Sequence, residues 1–215
     1  MSAHGSLAVG RSRGAVAEVK EALVYLWRIP VLRVVLIVDM FLGMLTFPYQ
    51  RLLPGFVAEV LSDSDDQAAI RLGLLLTAIA VGALAGSLVV ASLPNKHRGK
   101  LVIGSVALAG IALLAFSAST VFYVSVGIVL FMGIGQASRQ ALNNILIQSY
   151  TSNEFRGRIS SIMLFEDGVE SLGIFAIAML AAVTGPQFAL GTTSLMMLAL
   201  AASMWFLMPR YRHLD

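Results

Sequence analysis

Residues 101–138, LVIGSVALAGIALLAFSASTVFYVSVGIVLFMGIGQAS, run for 38 positions between Lys100 and Arg139 without a charge. As one helix this stretch would extend about 57 Å at ~1.5 Å per residue. A bilayer's hydrocarbon core is only about 30 Å thick, so the window must fold back on itself. Ser117-Ala118-Ser119-Thr120 is the natural turn. The 39 uncharged residues between Glu170 and Arg210 demand the same solution. There Thr184-Gly185-Pro186-Gln187 supplies the turn, because Gly and Pro punctuate helices.

Working outward, Arg71 and Lys96 bracket 24 uncharged residues, enough for a single span. A further span opens at Ile29-Pro30 and is interrupted only by Arg33 and Asp39. The reading is an all-α membrane protein with six spans near 31–50, 70–93, 101–117, 121–149, 158–183 and 187–208. Composition agrees. Only 13% of the 215 residues are charged, against about 25% in soluble domains, and such a chain cannot coat a water-facing surface. Mean hydropathy is +0.83.

The domain organisation expected is an arm over 1–30, a six-helix membrane domain over 31–208 and a tail over 209–215. Within the arm, Val16, Val19, Leu23, Leu26 and Trp27 form an apolar stripe at helical spacing opposite Glu18, Lys20 and Glu21. That pattern suits an amphipathic helix on a membrane surface or an ordinary soluble helix of a linker. Residues 1–14 read as disordered. The first 30 residues lack an apolar core of signal-peptide type, so the spans themselves are expected to direct insertion.

Orientation follows from Lys and Arg. Arg11, Arg13, Lys20, Arg28, Arg33, Lys96, Arg98, Lys100, Arg156, Arg158, Arg210 and Arg212 fall at one end of the bundle, whereas Arg51 and Arg71 fall at the other. Both termini are therefore expected in the cytoplasm, with the chain in the cell membrane. Several function classes drop out. There is no cysteine for a disulfide or thiolate. His4, His97 and His213 have no metal-ligand spacing. A net charge of +3 is too small to argue for nucleic acid. No Ser-His-Asp set, phosphate loop or cofactor motif is present, so no enzyme activity, metal or cofactor is expected.

Ionisable groups inside the spans are the candidates for chemistry, since each costs at least ~2.5–3.5 kcal/mol to insert. Arg139 lies about 15 Å from the basic end of the fourth span, with Glu166 at about 12 Å and Glu170 at about 18 Å in the fifth. Spans four and five are joined by a short loop and are expected to pack as antiparallel neighbours. Arg139 then meets Glu166 or Glu170. Glu166, Asp167 and Glu170 share one face at i,i+3 and i,i+4 spacing. One Arg among three acids leaves excess negative charge, which suits a proton carrier or cation site; a static ion-pair network is the alternative. Asp39 reads either as a second protonatable site or, preferably, as a hydrated neighbour of Arg33. Gln136, Gln140, Asn144 and Gln148 repeat at i+4, with Arg139 and Asn143 beside them. This stripe is expected to line a water-filled cavity or to act as polar glue between helices. Gly82 and Gly86 form a G-x-x-x-G that permits close helix approach.

Several stretches resemble the major facilitator superfamily, in its drug- and siderophore-exporter-like group. EALVYLWRIPVLR (21–33) is similar to the end of that family's central cytoplasmic loop. RLGLLLTAIAVGALAG (71–86) resembles its eighth helix, GIGQASRQAL (133–142) its tenth, and NEFRGRIS (153–160), with Arg156, Gly157 and Arg158, the loop into its eleventh. The family has twelve helices in two six-helix halves, each expected to hold inverted three-plus-three repeats. The resemblance over residues 20–208 therefore implies the second half of a proton-coupled exporter of small amphipathic molecules. Its expected partners are the lipid bilayer, a small-molecule substrate and a second six-helix half, either a separate chain or another copy. A non-transporting scaffold or an inactive remnant is the rival. The loop LPNKHRGK (93–100) lacks the acidic residue that the family places before its basic cluster. Its Lys96, Arg98 and Lys100 are accordingly read as topology determinants and as cations at a helix C-terminus.

Overall fold

A computed structural model describes residues 29–93, 97–151 and 156–212, except the side chains of 156–167 and 209–210. Residues 1–28 of the arm therefore lie outside the described residues, as do Lys96 and the side chains of Arg156, Arg158, Glu166 and Asp167. The fold is all-helical. α1 (Pro30–Val60), α2 (Asp65–Ser92), α3 (Arg98–Ala118), α4 (Phe122–Tyr150), α5 (Arg156–Thr184) and α6 (Pro186–Leu207) are followed by the short α7 (Pro209–Arg212). Five of these are long and apolar enough to cross a membrane, and the described part of α5 (Gly168–Thr184) forms a shorter apolar helix.

Both turns fall where the uncharged windows require them. α3 ends at Ala118 and α4 begins at Phe122. Gly185 adopts φ 86 between α5 and α6, and Pro186 sits in the first turn of α6, where its missing N–H costs nothing. α1 departs from expectation. It passes through Pro48 and Pro54 to Val60 rather than ending near Gln50. Past Pro54 it buries Phe56 and Val57, and Phe56 stacks at 4.6 Å on Phe116 at the end of α3. That burial outweighs the backbone hydrogen bonds the prolines remove. α2 starts cleanly: the Ser64 hydroxyl accepts from the Gln67 N–H, and Asp65 and Asp66 lie in the first turn, where the helix dipole favours them.

Packing follows a pattern that chain order does not. α2 lies chiefly on α4, and α1 on α5; α4 packs on α3, and α1 on α6; α3 packs on α6. Exchanging α1–α3 with α4–α6 maps these pairs onto one another. The arrangement is an inverted three-plus-three repeat, although no such repeat is visible in the sequence. α4 and α5, consecutive in the chain, share no extensive packing among the described residues. The expected α4–α5 neighbour pair is therefore corrected. The swapped topology sends α5 across to α1.

Glycines make both crossings possible. A Cβ on Gly82 or Gly86 would collide with the α4 carbonyls of Leu130 and Ile134, and one on Gly133 with the α2 carbonyl of Ile79. At the matching crossing, a Cβ on Gly173 of α5 would strike the Met44 carbonyl of α1. The outer faces carry Ile70, Leu74, Leu84 and Leu88 of α2 and Leu172 and Phe175 of α5, all exposed. Lipid is the solvent that makes such a surface stable.

These contacts make a stability prediction. Gly82→Ala should cost about 1–3 kcal/mol by forcing the α2 and α4 backbones apart. Gly104→Ala, which meets open space, should be neutral or gain up to ~1 kcal/mol from helix propensity. Unfolding of the reconstituted chain by a denaturing detergent measures both; equal stability of the two variants would contradict the close crossing.

Candidate functional site

At the centre of the bundle, where α1 and α4 meet on the axis of the repeat, Arg139 donates from Nη1 to Asp39 Oδ1 at 2.6 Å. The side chains are only 5% and 12% exposed. Each lies about one-third along its helix from the basic end, so antiparallel packing brings them to one depth. Val35, Val38, Leu42, Leu142 and Leu146 build the apolar cluster on the same two helices. In such surroundings an ion pair is screened little, and loss of either partner strands a buried charge.

Arg139 therefore meets Asp39, a hundred residues away, and Asp39 is not the hydrated neighbour of Arg33 that the sequence favoured. Whether Glu166 or Asp167 approaches this pair lies outside the described residues. Glu170 does reach α1. It is buried, and its carboxyl group lies so close to Gly43 that a Cβ there would clash with Oε1. Gly43 is one helical turn beyond Asp39, so α1 presents its acid and the seat of a second on neighbouring turns.

Around the pair several buried polar atoms have no hydrogen-bond partner among the described residues: Arg139 Nε, Asn143 Nδ2 and the Tyr211 hydroxyl. An unsatisfied buried polar group costs about 1–3 kcal/mol. Tyr211 comes from α7, beyond the last span, yet it is 2% exposed and belongs to the apolar cluster around the pair. Burial pushes its hydroxyl well above the usual tyrosine range, Asp39 adds to the rise and Arg139 opposes it. The group is neutral at physiological pH.

The α4 stripe is split by depth. Arg139 and Asn143 are buried, Gln136 and Asn144 half-buried, and Gln140 and Gln148 exposed. Gln136 accepts a hydrogen bond from the buried Tyr49 hydroxyl, a second polar tie across the α1–α4 seam. Beside Tyr49, at the end away from the basic loops, Gln50, Arg51, Leu53, Leu76 and Ile79 complete a cleft of about 410 Å³ between α1 and α2. Its volume falls in the range of small-molecule sites, and its walls mix apolar and polar groups.

At the basic end, Arg98 and Lys100 occupy the first turn of α3, not a helix C-terminus as the sequence suggested. Arg98 instead donates to Ser149 Oγ near the end of α4, at 3.3 Å. Gly82 and Gly86 lie against the α4 backbone at Leu130 and Ile134. No group of three or more potential metal ligands occurs among the described residues. Tyr49 and Tyr211 carried no signal that sets them apart from packing aromatics; only the three-dimensional fold brings them to the seam.

Comparison with known proteins adds an independent line. The family profile described as Major Facilitator Superfamily matches residues 4–165. Among curated proteins, the chain is 26% identical over 155 residues to the multidrug efflux pump Tap of Mycobacterium tuberculosis (strain H37Rv), and equally to that of Mycobacterium bovis (strain BCG Pasteur). The alignment takes in 71% of this chain and 36% of those proteins, so the chain spans about a third of the length of the curated relatives it matches. No solved structure matches.

The pair itself makes a prediction. Asp39→Ala leaves the guanidinium buried without its carboxylate and should destabilise the bundle by about 3–5 kcal/mol, whereas Asp39→Leu combined with Arg139→Met should recover most of that loss. A double-mutant cycle by detergent unfolding measures the coupling; additive losses would contradict a direct pair.

Proposed function

The chain belongs to the major facilitator superfamily, and we propose that it works as one half of an alternating-access transporter that exports small amphipathic molecules in exchange for protons. The observation carrying this reading is the Asp39–Arg139 pair at 2.6 Å within the membrane-spanning bundle. An ionisable pair buried inside a membrane-spanning bundle is by default a functional candidate.

In this reading Asp39 and Glu170 are the proton-accepting groups. A proton arriving on Asp39 removes the negative charge that holds Arg139 and so frees α4 from α1. Neutralising Glu170 at Gly43 acts on the α1–α5 crossing in the same way. Both contacts lie between the inverted repeats, so each proton event bears on how one repeat sits against the other. Glu166 and Asp167, one turn before Glu170, extend the acidic face along which a proton would travel. Gln136, Gln140, Asn143 and Asn144 wet that route, and the mixed cleft beside Tyr49 suits an amphipathic substrate.

A six-helix half needs a second half to rock against. The exposed Gln140 and Gln148 support this, because a polar stripe is not stable against lipid and a facing half would shield it. That half is supplied by a separate chain, by further sequence of the same polypeptide or by a second copy. The basic end of the bundle, with Lys96, with Arg98 and Lys100 in the first turn of α3 and with Arg156, Gly157 and Arg158 in the first turn of α5, would face the cytoplasm, along with both termini.

The test is efflux of a fluorescent amphipathic dye from vesicles carrying the assembled transporter under an imposed proton gradient. Asp39→Asn and Glu170→Gln should each lower proton-driven efflux at least tenfold at unchanged protein level. Unaltered efflux in both would sink the proton-coupling assignment, and absence of efflux from the native assembly would sink transport and favour a scaffold.

A further inference from the structure

Tyr211 has no part in the proton route just described, yet it is among the most completely buried large side chains of the molecule. It sits on α7, after the sixth span, where a tail residue would ordinarily be solvated. Three contacts fix it there. The Tyr211 carbonyl lies against Gly99 in the first turn of α3, so closely that no Cβ could intervene. The Arg212 guanidinium lies 5.2 Å over the Trp205 ring at the end of α6. The Tyr211 ring joins Leu32 and Val35 of α1, Val102 and Ile103 of α3 and Met204 of α6 in one cluster.

We propose that α7 is a plug: it seats Tyr211 in the basic-end mouth of the half-bundle, on the approach to Asp39 and Arg139, and must withdraw for that mouth to open. The need to open rests on the alternating-access reading; the seal does not. The hydroxyl explains why the plug is releasable. A phenylalanine would fill the same space without burying an unpartnered polar atom. The tyrosine seat is thus held by ring packing and weakened by its own hydroxyl, which gains hydrogen bonds to water as soon as it leaves. Gly99 gives the first turn of α3 a role independent of its charges: it is the floor on which the tail rests.

The chain has no cysteine, so one introduced at Val102, which is 1% exposed beside Tyr211, reports access to the mouth. Val102→Cys would be labelled with a membrane-impermeant charged maleimide in membranes that present the basic end. With the native tail, labelling should be slow. Tyr211→Ala should accelerate it at least tenfold, and Tyr211→Phe should leave it as slow or slower. Gly99→Leu strikes the Tyr211 carbonyl and so lifts the tail while leaving the Tyr211 side chain and the ion pair unaltered, and it should match Tyr211→Ala. A Val121→Cys control at the opposite end, labelled from that side, should react alike in all backgrounds and identifies any variant that fails to fold. Equally slow labelling in Tyr211→Ala and Gly99→Leu would overturn the plug, as would fast labelling with the native tail. Because labelling needs no transport, a chain that moves no dye but keeps this pattern would sink the transport reading alone.

Discussion

Asp39 and Arg139 meet 2.6 Å apart, both buried between α1 and α4. Each is tolerated in the bundle only because the other is there. The pair spans the contact between the first helices of the two three-helix repeats, so it bears on the relation of one repeat to the other as well as on local packing. A charge-assisted hydrogen bond fixes the register of α1 against α4 in a way that leucine contacts alone do not. Apolar helices in lipid otherwise have little hydrophobic reason to choose one rotation over another.

Around that seam the architecture is one of exchanged second helices. α2 crosses α4 and α5 crosses α1, each at glycines that let backbone meet backbone. The exchange brings Glu170 onto Gly43, one turn from Asp39, although it is far from α1 in the chain. Two acids thus lie within the membrane on elements that belong to different repeats. Towards the basic end, described side chains of α1, α3, α6 and α7 pack in one cluster, with Gly99 and Tyr211 in direct contact. The other end keeps a cleft beside Tyr49.

Much of this was legible in residue order because the bilayer is a severe ruler. Two uncharged windows near forty residues have a single solution each, and Ser117–Thr120 and Gly185-Pro186 turned where that solution puts them. The length of α1 was not legible: the span was expected to end near Gln50, and only the burial of Phe56 and Val57 carries the helix on past Pro54. Asp39 was missed as a partner of Arg139 for a topological reason. Chain neighbours were taken to be packing neighbours, whereas the inverted repeat sends α5 away from α4 and brings Asp39 to Arg139. The burial of Tyr211 had no local signal at all, since nothing in Pro209–Arg212 distinguishes a tail in water from one folded back into the bundle.

The central claim is that Arg139 and Asp39 are in direct contact inside the bilayer, and solid-state NMR measures that contact in place. With ¹⁵N-labelled arginine and ¹³C-labelled aspartate in the full chain reconstituted in lipid, a strong guanidinium-to-carboxyl dipolar coupling is predicted that vanishes in Asp39→Asn. A guanidinium of Arg139 with no coupling to aspartate, or coupled to a glutamate instead, would contradict the account.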